Sequence, residues 1–111
     1  MDPIQKLRDG VEQLVAEALD QSRANGLLQF EQAPDYVIEV PRDEGHGDFS
    51  TNVAMLLARQ ARMAPRKIAD IIVSQLDMRL MPEVVKVEVA GAGFINFFLD
   101  QSWLYGLPAA V

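Results

Sequence analysis

The stretch VVKVEVAGAGFINFFL, Val84 to Leu99, decides the fold. In its first half Val85, Val87 and Val89 fall on one side of an extended chain, with Lys86 and Glu88 on the other. That alternation describes a half-buried strand. Gly91-Ala92-Gly93 supplies the backbone freedom of a tight reversal, and Phe94 to Leu99 returns as a second strand. An antiparallel hairpin of this kind must bury its apolar face against other elements, so the rest of the chain has to provide a cover.

The returning strand carries an asymmetry. Period two places Ile95, Phe97 and Leu99 on one face and Phe94, Asn96 and Phe98 on the other. The first set is a core face; the second holds an amide between aromatic rings. If that second face met the covering helices, Asn96 would need its hydrogen bonds satisfied within the core. If the face is open, Phe94 and Asn96 form a small platform. A splayed RNA base can stack on the ring, an interaction worth about 1–3 kcal/mol. The amide would read the base edge, and its adjacent donor and acceptor match those of adenine. Strand geometry alone leaves both readings open.

Working back toward the N-terminus, Ile4, Leu7, Val11, Leu14, Val15, Ala18 and Leu19 recur at three- and four-residue intervals. They predict an amphipathic helix opened by Asp2-Pro3 and closed at Asn25-Gly26. Residues 27–35 form a connector, with a short extended piece around Leu28 to Glu31. Tyr36 to Val40 reads as a strand stopped by Pro41. After the loop PRDEGHGDFSTN a helix is expected near Phe49 to Arg62, with Asp48 or Ser50 as its N-cap. Pro65 suits the first position of a further helix reaching about Arg79 and burying Ile68, Ile71, Ile72 and Leu76. Asp100 is expected to cap a short last helix containing Trp103, Leu104 and Tyr105. The resulting order, α-β-α-α-β-β-α, predicts an α+β two-layer sandwich. Its antiparallel sheet has three to four strands, with the helices on one face.

Composition narrows the function classes. The chain has 111 residues, half of them hydrophobic, which suits one globular domain. It contains no cysteine and a single histidine, His46, so disulfide frameworks, thiolate metal sites and multi-histidine clusters are excluded. No apolar run approaches the roughly 20 residues that span a bilayer, and the start is no signal peptide; a soluble, cytoplasmic protein is expected. The net charge of −6 argues against a general polyanion binder. The charge is unevenly spread, however. Residues 42–67 hold five basic residues against three acidic ones, so this less acidic segment is where RNA would touch.

Three further features invite chemistry. Gly45-His46-Gly47 is too short for a dinucleotide fingerprint, though it leads toward a helix N-terminus, where free amides favour an anion. Asp48 would compete for those amides by capping them. His46 has no assignable serine or carboxylate partner for acid–base work. Arg59, Arg62, Arg66 and Lys67 cluster at the two-helix corner, either as a phosphate-contacting edge or as a solvated helix surface.

Together these segments resemble the amino-terminal additional domain of arginyl-tRNA synthetases. The resemblance is carried by Gly47-Asp48-Phe49 before a helix, by Pro65 to Ala69 opening the next helix, and by the hairpin Val87 to Phe97. It runs over essentially the whole chain. It implies a parent enzyme, an arginine–tRNA ligase that uses ATP with magnesium, and a role for this domain in contacting the arginine tRNA. In the family an aromatic residue at the start of the last strand and an amide two positions on read an unpaired base of the dihydrouridine loop. These carry over to Phe94 and Asn96. Asp48, Ser50, Asn52, Arg66 and Lys67 are further candidates for contacts to the tRNA backbone.

No His-x-Gly-His element of the family's nucleotide-binding fold occurs, and Gly45-His46-Gly47-Asp48 is not that motif. A non-catalytic fragment without cofactor or metal of its own is therefore expected. Residues 1–100 would form the additional domain, and 101–111 the start of a helix or linker toward a catalytic domain of the same chain. Neither a membrane nor DNA is expected as a partner. The alternative is a structural or protein-interaction module whose hairpin face packs on a partner domain without RNA contact.

Overall fold

A computed structural model of the chain describes residues 2–104, the side chains of Glu44, Trp103 and Leu104 excepted. Tyr105 and most of the expected linker lie outside the described residues. The fold is the expected α+β sandwich. Helix α1 (Pro3–Ala24), strand β1 (Ile38–Glu39), strand β2 (Phe49–Thr51), helices α2 (Val53–Ala61) and α3 (Pro65–Ser74), strands β3 (Val84–Ala90) and β4 (Phe94–Leu99) and helix α4 (Gln101–Leu104) follow in order. The sheet runs β1-β2-β4-β3, antiparallel throughout. None of the described helices is long and apolar enough to cross a membrane.

Helix α1 forms where its apolar period lies. Pro3 occupies the first turn, the Asp2 carboxylate accepts the Ile4 N–H at 2.9 Å, and Leu7, Val11, Leu14, Val15, Ala18 and Leu19 are buried. Ile4, counted in the same stripe, stays exposed at the helix start. The connector after it forms no strand; Leu28 and Phe30 are instead buried, with the Arg23 guanidinium 4.7 Å from the Phe30 ring centroid. Below the helices, the row Phe49–Phe97–Val87 and the row Ile38–Thr51–Ile95–Val89 turn inward across the sheet. Phe49 and Phe97, fully buried and directly paired, sit at its centre. Truncating either to alanine would cost about 3–5 kcal/mol.

Several boundaries move, each for a physical reason. Residues 49–51 are a strand, because Ile38 and Glu39 pair with them on one side and Ile95, Asn96 and Phe97 on the other. Helix α2 therefore begins at Val53 with Asn52 as its N-cap residue, and neither Asp48 nor Ser50 caps it. The Thr51 hydroxyl oxygen accepts the Val53 N–H instead, at 3.3 Å. The strand read at Tyr36 to Val40 shrinks to two residues. Helix α3 stops at Ser74, and a separate 3₁₀ turn at Met78–Leu80 is opened by Asp77.

In β3 the alternation is broken by a bulge. Val84 faces Leu99 and Lys86 faces Phe98, which leaves Val85 as the extra residue. Val84 takes the core position, Val87 and Val89 remain on the core side, and Val85 stands 63% exposed. At the end of α2, Arg62 adopts φ 55° and ψ 44°, where its N–H reaches the Ala58 carbonyl. This left-handed C-terminal position usually falls to glycine, and for a residue with a Cβ it costs about 1–2 kcal/mol.

Candidate nucleic-acid interface

The face of the sheet turned away from the helices carries Phe94, Asn96 and Phe98 on β4, as the alternation predicts. Register extends it across all four strands: Glu39 faces Ser50, Ser50 faces Asn96 and Asn96 faces Glu88. On one side of that polar row Phe98 is covered by Lys86, whose ammonium lies 4.8 Å from the ring centroid and 2.8 Å from Glu88. On the other side Phe94 has no such lid and is 40% exposed.

Asn96 is neither open nor part of the helix-side core. It is 2% exposed, and its Oδ1 accepts a 2.8 Å hydrogen bond from the Ser50 hydroxyl. Among the described residues its Nδ2 has no hydrogen-bond acceptor, yet it is not a sealed orphan. The amide borders a cavity of about 290 Å³ lined by Phe94, Ser50, Glu39, Pro41, His46 and the hairpin residues Ala90 and Gly91. A ring at the wall and an amide with a free donor at the floor suit one flat, polar-edged group. Ser50 consumes one lone pair of the amide oxygen and fixes which way the amide faces; the second lone pair can still accept.

The loop before β2 is built to hold this arrangement. Gly47 has φ +87°, and a Cβ there would lie 2.7 Å from the Phe97 carbonyl oxygen, so only glycine lets the loop dock on β4. The Asp48 N–H then donates to that carbonyl at 2.8 Å, while its carboxylate accepts the Leu99 N–H at 2.7 Å. The Asn52 side-chain amide oxygen, Oδ1, accepts the Val37 N–H at 3.2 Å. Asp48, Ser50 and Asn52 thus spend polar atoms within the domain. Arg66 and Lys67 are exposed on α3, and the Arg66 guanidinium donates to the Gly91 carbonyl at 2.8 Å, beside the cavity.

Sequence reasoning brought Phe94 and Asn96 together but missed Glu39, Pro41 and the Ser50–Asn96 bond. Ser50 is among the expected backbone contacts, but its bond to Asn96 has no trace in a reading that starts a helix at residues 49–51. Glu39 carried no signal, since it reaches the cavity only through sheet register, and Pro41 follows two residues behind it. His46, considered as a general base, is an exposed rim residue in the 3₁₀ turn Glu44–His46.

Comparison with known proteins agrees with this architecture. The chain is 47% identical over 111 residues to the arginine–tRNA ligase of Moorella thermoacetica, covering all of this chain and 20% of that one. Over 93 residues it is 50% identical to the arginine–tRNA ligase of Desulforamulus reducens, covering 84% of this chain and 16% of that one. It therefore spans a fifth or less of the length of these relatives. The crystal structure of arginyl-tRNA synthetase from Plasmodium falciparum superposes with a TM-score of 0.69 at 11% identity, over 90% of this chain and 17% of that one, a likeness of fold. Residues 6–99, from the first turn of α1 to the end of β4, match the family model described as the arginyl tRNA synthetase N terminal domain, and the chain belongs to that family.

Proposed function

We propose that this chain is the accessory tRNA-binding domain of an arginine–tRNA ligase, which positions the arginine tRNA for ATP-dependent arginylation by a catalytic domain of the same protein. Phe94 stacks an unpaired base of the dihydrouridine loop, and Asn96 hydrogen-bonds its edge through Nδ2 and the remaining lone pair of Oδ1. Arg66 and Lys67 meet the adjoining phosphates. The observation that carries this reading is the cavity on the helix-free face, where an exposed ring stands beside a buried amide with an unused donor. Asp48, Ser50 and Asn52 serve it indirectly, by fixing β4 and the amide.

The chain's part is positioning. Among the described residues no three His, Cys, Asp or Glu side chains converge to hold a metal ion.

The test is steady-state arginylation by the full-length ligase carrying Phe94→Ala or Asn96→Ala. The KM for tRNA should rise roughly 5- to 150-fold, the equivalent of about 1–3 kcal/mol of lost base stacking and edge bonding, while the KM for arginine and for ATP stays put. The wild-type enzyme should also distinguish tRNAs changed at one unpaired dihydrouridine-loop base, and Phe94→Ala should erase that distinction. A fall in kcat with an unchanged KM for tRNA would count against the proposal.

A further inference from the structure

Arg62 is the one residue other than glycine with positive φ among the described residues. Its backbone sits where glycine is the relaxed choice. Its side chain is exposed and makes no hydrogen bond or ion pair with any described residue, so nothing inside the domain rewards an arginine there. The setting is unusual for this protein. Between residues 59 and 67 stand Arg59, Arg62, Arg66 and Lys67 with no acidic residue among them, in a chain of net charge −6. All four are exposed, and none is paired with a described carboxylate.

The corner is also fastened to the base cavity. A Cβ on Gly93 would lie 2.9–3.1 Å from Pro65, so the first turn of α3 rests directly on the hairpin turn. Arg66 is bonded to the carbonyl of Gly91, itself part of the cavity lining. Pro65 and Arg66, at the α2–α3 corner, and the Phe94 ring therefore adjoin the same hairpin turn.

We infer that Arg62 is a phosphate-contacting residue, held in an unfavourable backbone conformation for the sake of its charge, and that it engages the nucleic-acid backbone flanking the base bound at Phe94. The inference rests on the base-reading proposal for its ligand. It adds a subsite that acts regardless of base identity, since a phosphate contact carries no sequence information. Arg59 and Lys67 flank Arg62 and share the same field.

Arg62→Gly removes the cation and relaxes the backbone together, and the two effects are read in different assays. In the 111-residue chain it should raise the urea midpoint. In the full-length ligase it should raise the KM for tRNA several-fold, equally for every dihydrouridine-loop base, and flatten the dependence of log K on log salt concentration by about 1. Arg62→Lys, keeping both charge and strain, should stay near wild type in midpoint and in salt slope. A raised midpoint with unchanged KM and salt slope would overturn the inference, and so would a lowered midpoint. If Phe94→Ala abolishes base dependence while Arg62→Gly leaves the salt slope intact, this inference fails and base reading stands. If Phe94→Ala changes nothing while Arg62→Gly loses its contact, the phosphate subsite stands without the base.

Discussion

Asn96 owes its orientation to one bond, the 2.8 Å contact from the Ser50 hydroxyl, made between two buried residues. Ser50→Ala would remove the donor that this largely buried amide oxygen uses. The expected cost is about 1–3 kcal/mol, read as a lowered urea midpoint of the chain. Half of this relationship was legible in the sequence. Alternation separated Asn96 from Ile95 and Phe97 and set it beside Phe94, because strand parity is a local property. Its bond to Ser50 was not legible, since Ser50 lies forty-six residues away along the chain and is brought beside it only by strand pairing.

Helix α1, with the longest local period, ended within a residue of where its sequence places it, whereas α3 stopped about five residues short. Strand β2 did not reveal itself, because Phe49-Ser50-Thr51 between an aspartate and an asparagine also suits a helix start. Its extended state is decided by partners on β4 some forty-six residues away, and non-local pairing leaves no periodic trace. The bulge at Val85 was hidden for a related reason: valine fits either side of an alternating strand. Contact between α3 and the hairpin turn yields a prediction at this scale. Gly93 has φ +131° and almost no room beside Pro65, so Gly93→Ala should destabilise the chain by about 1–3 kcal/mol. It should also shift the amide resonances of Phe94 and Arg66 together. Helix α4 offers a pH test. The Ser102 N–H and then its hydroxyl, both donating to Asp100, hold that carboxyl below its ordinary value of 3.8. A lowered folded pKa gives stability that is fully present above the ordinary value and is lost as pH falls through the folded one. The Ser102 amide shift should therefore titrate with a midpoint below 3.8.

For the whole molecule, charge sets the limit on what the chain achieves by itself. A net charge of −6 with a cationic corner of four residues leaves few phosphates to neutralise. The 111-residue chain should bind tRNA no more tightly than about 10⁻⁴ M at physiological salt, the weak end of nonspecific association, as NMR titration would measure. Tight, salt-resistant binding would contradict this. The sheet also has a bearing on self-association. Its outermost strands are β1, only two residues long, and β3, which is bent by the bulge at Val85 and carries Lys86 and Glu88. Neither offers the long, flat row of unpaired amides and carbonyls on which a second copy would add a strand. The unpaired Val85, an interruption in the pattern from which the fold was read, thus becomes a guard against edge-to-edge aggregation while the chain is still folding.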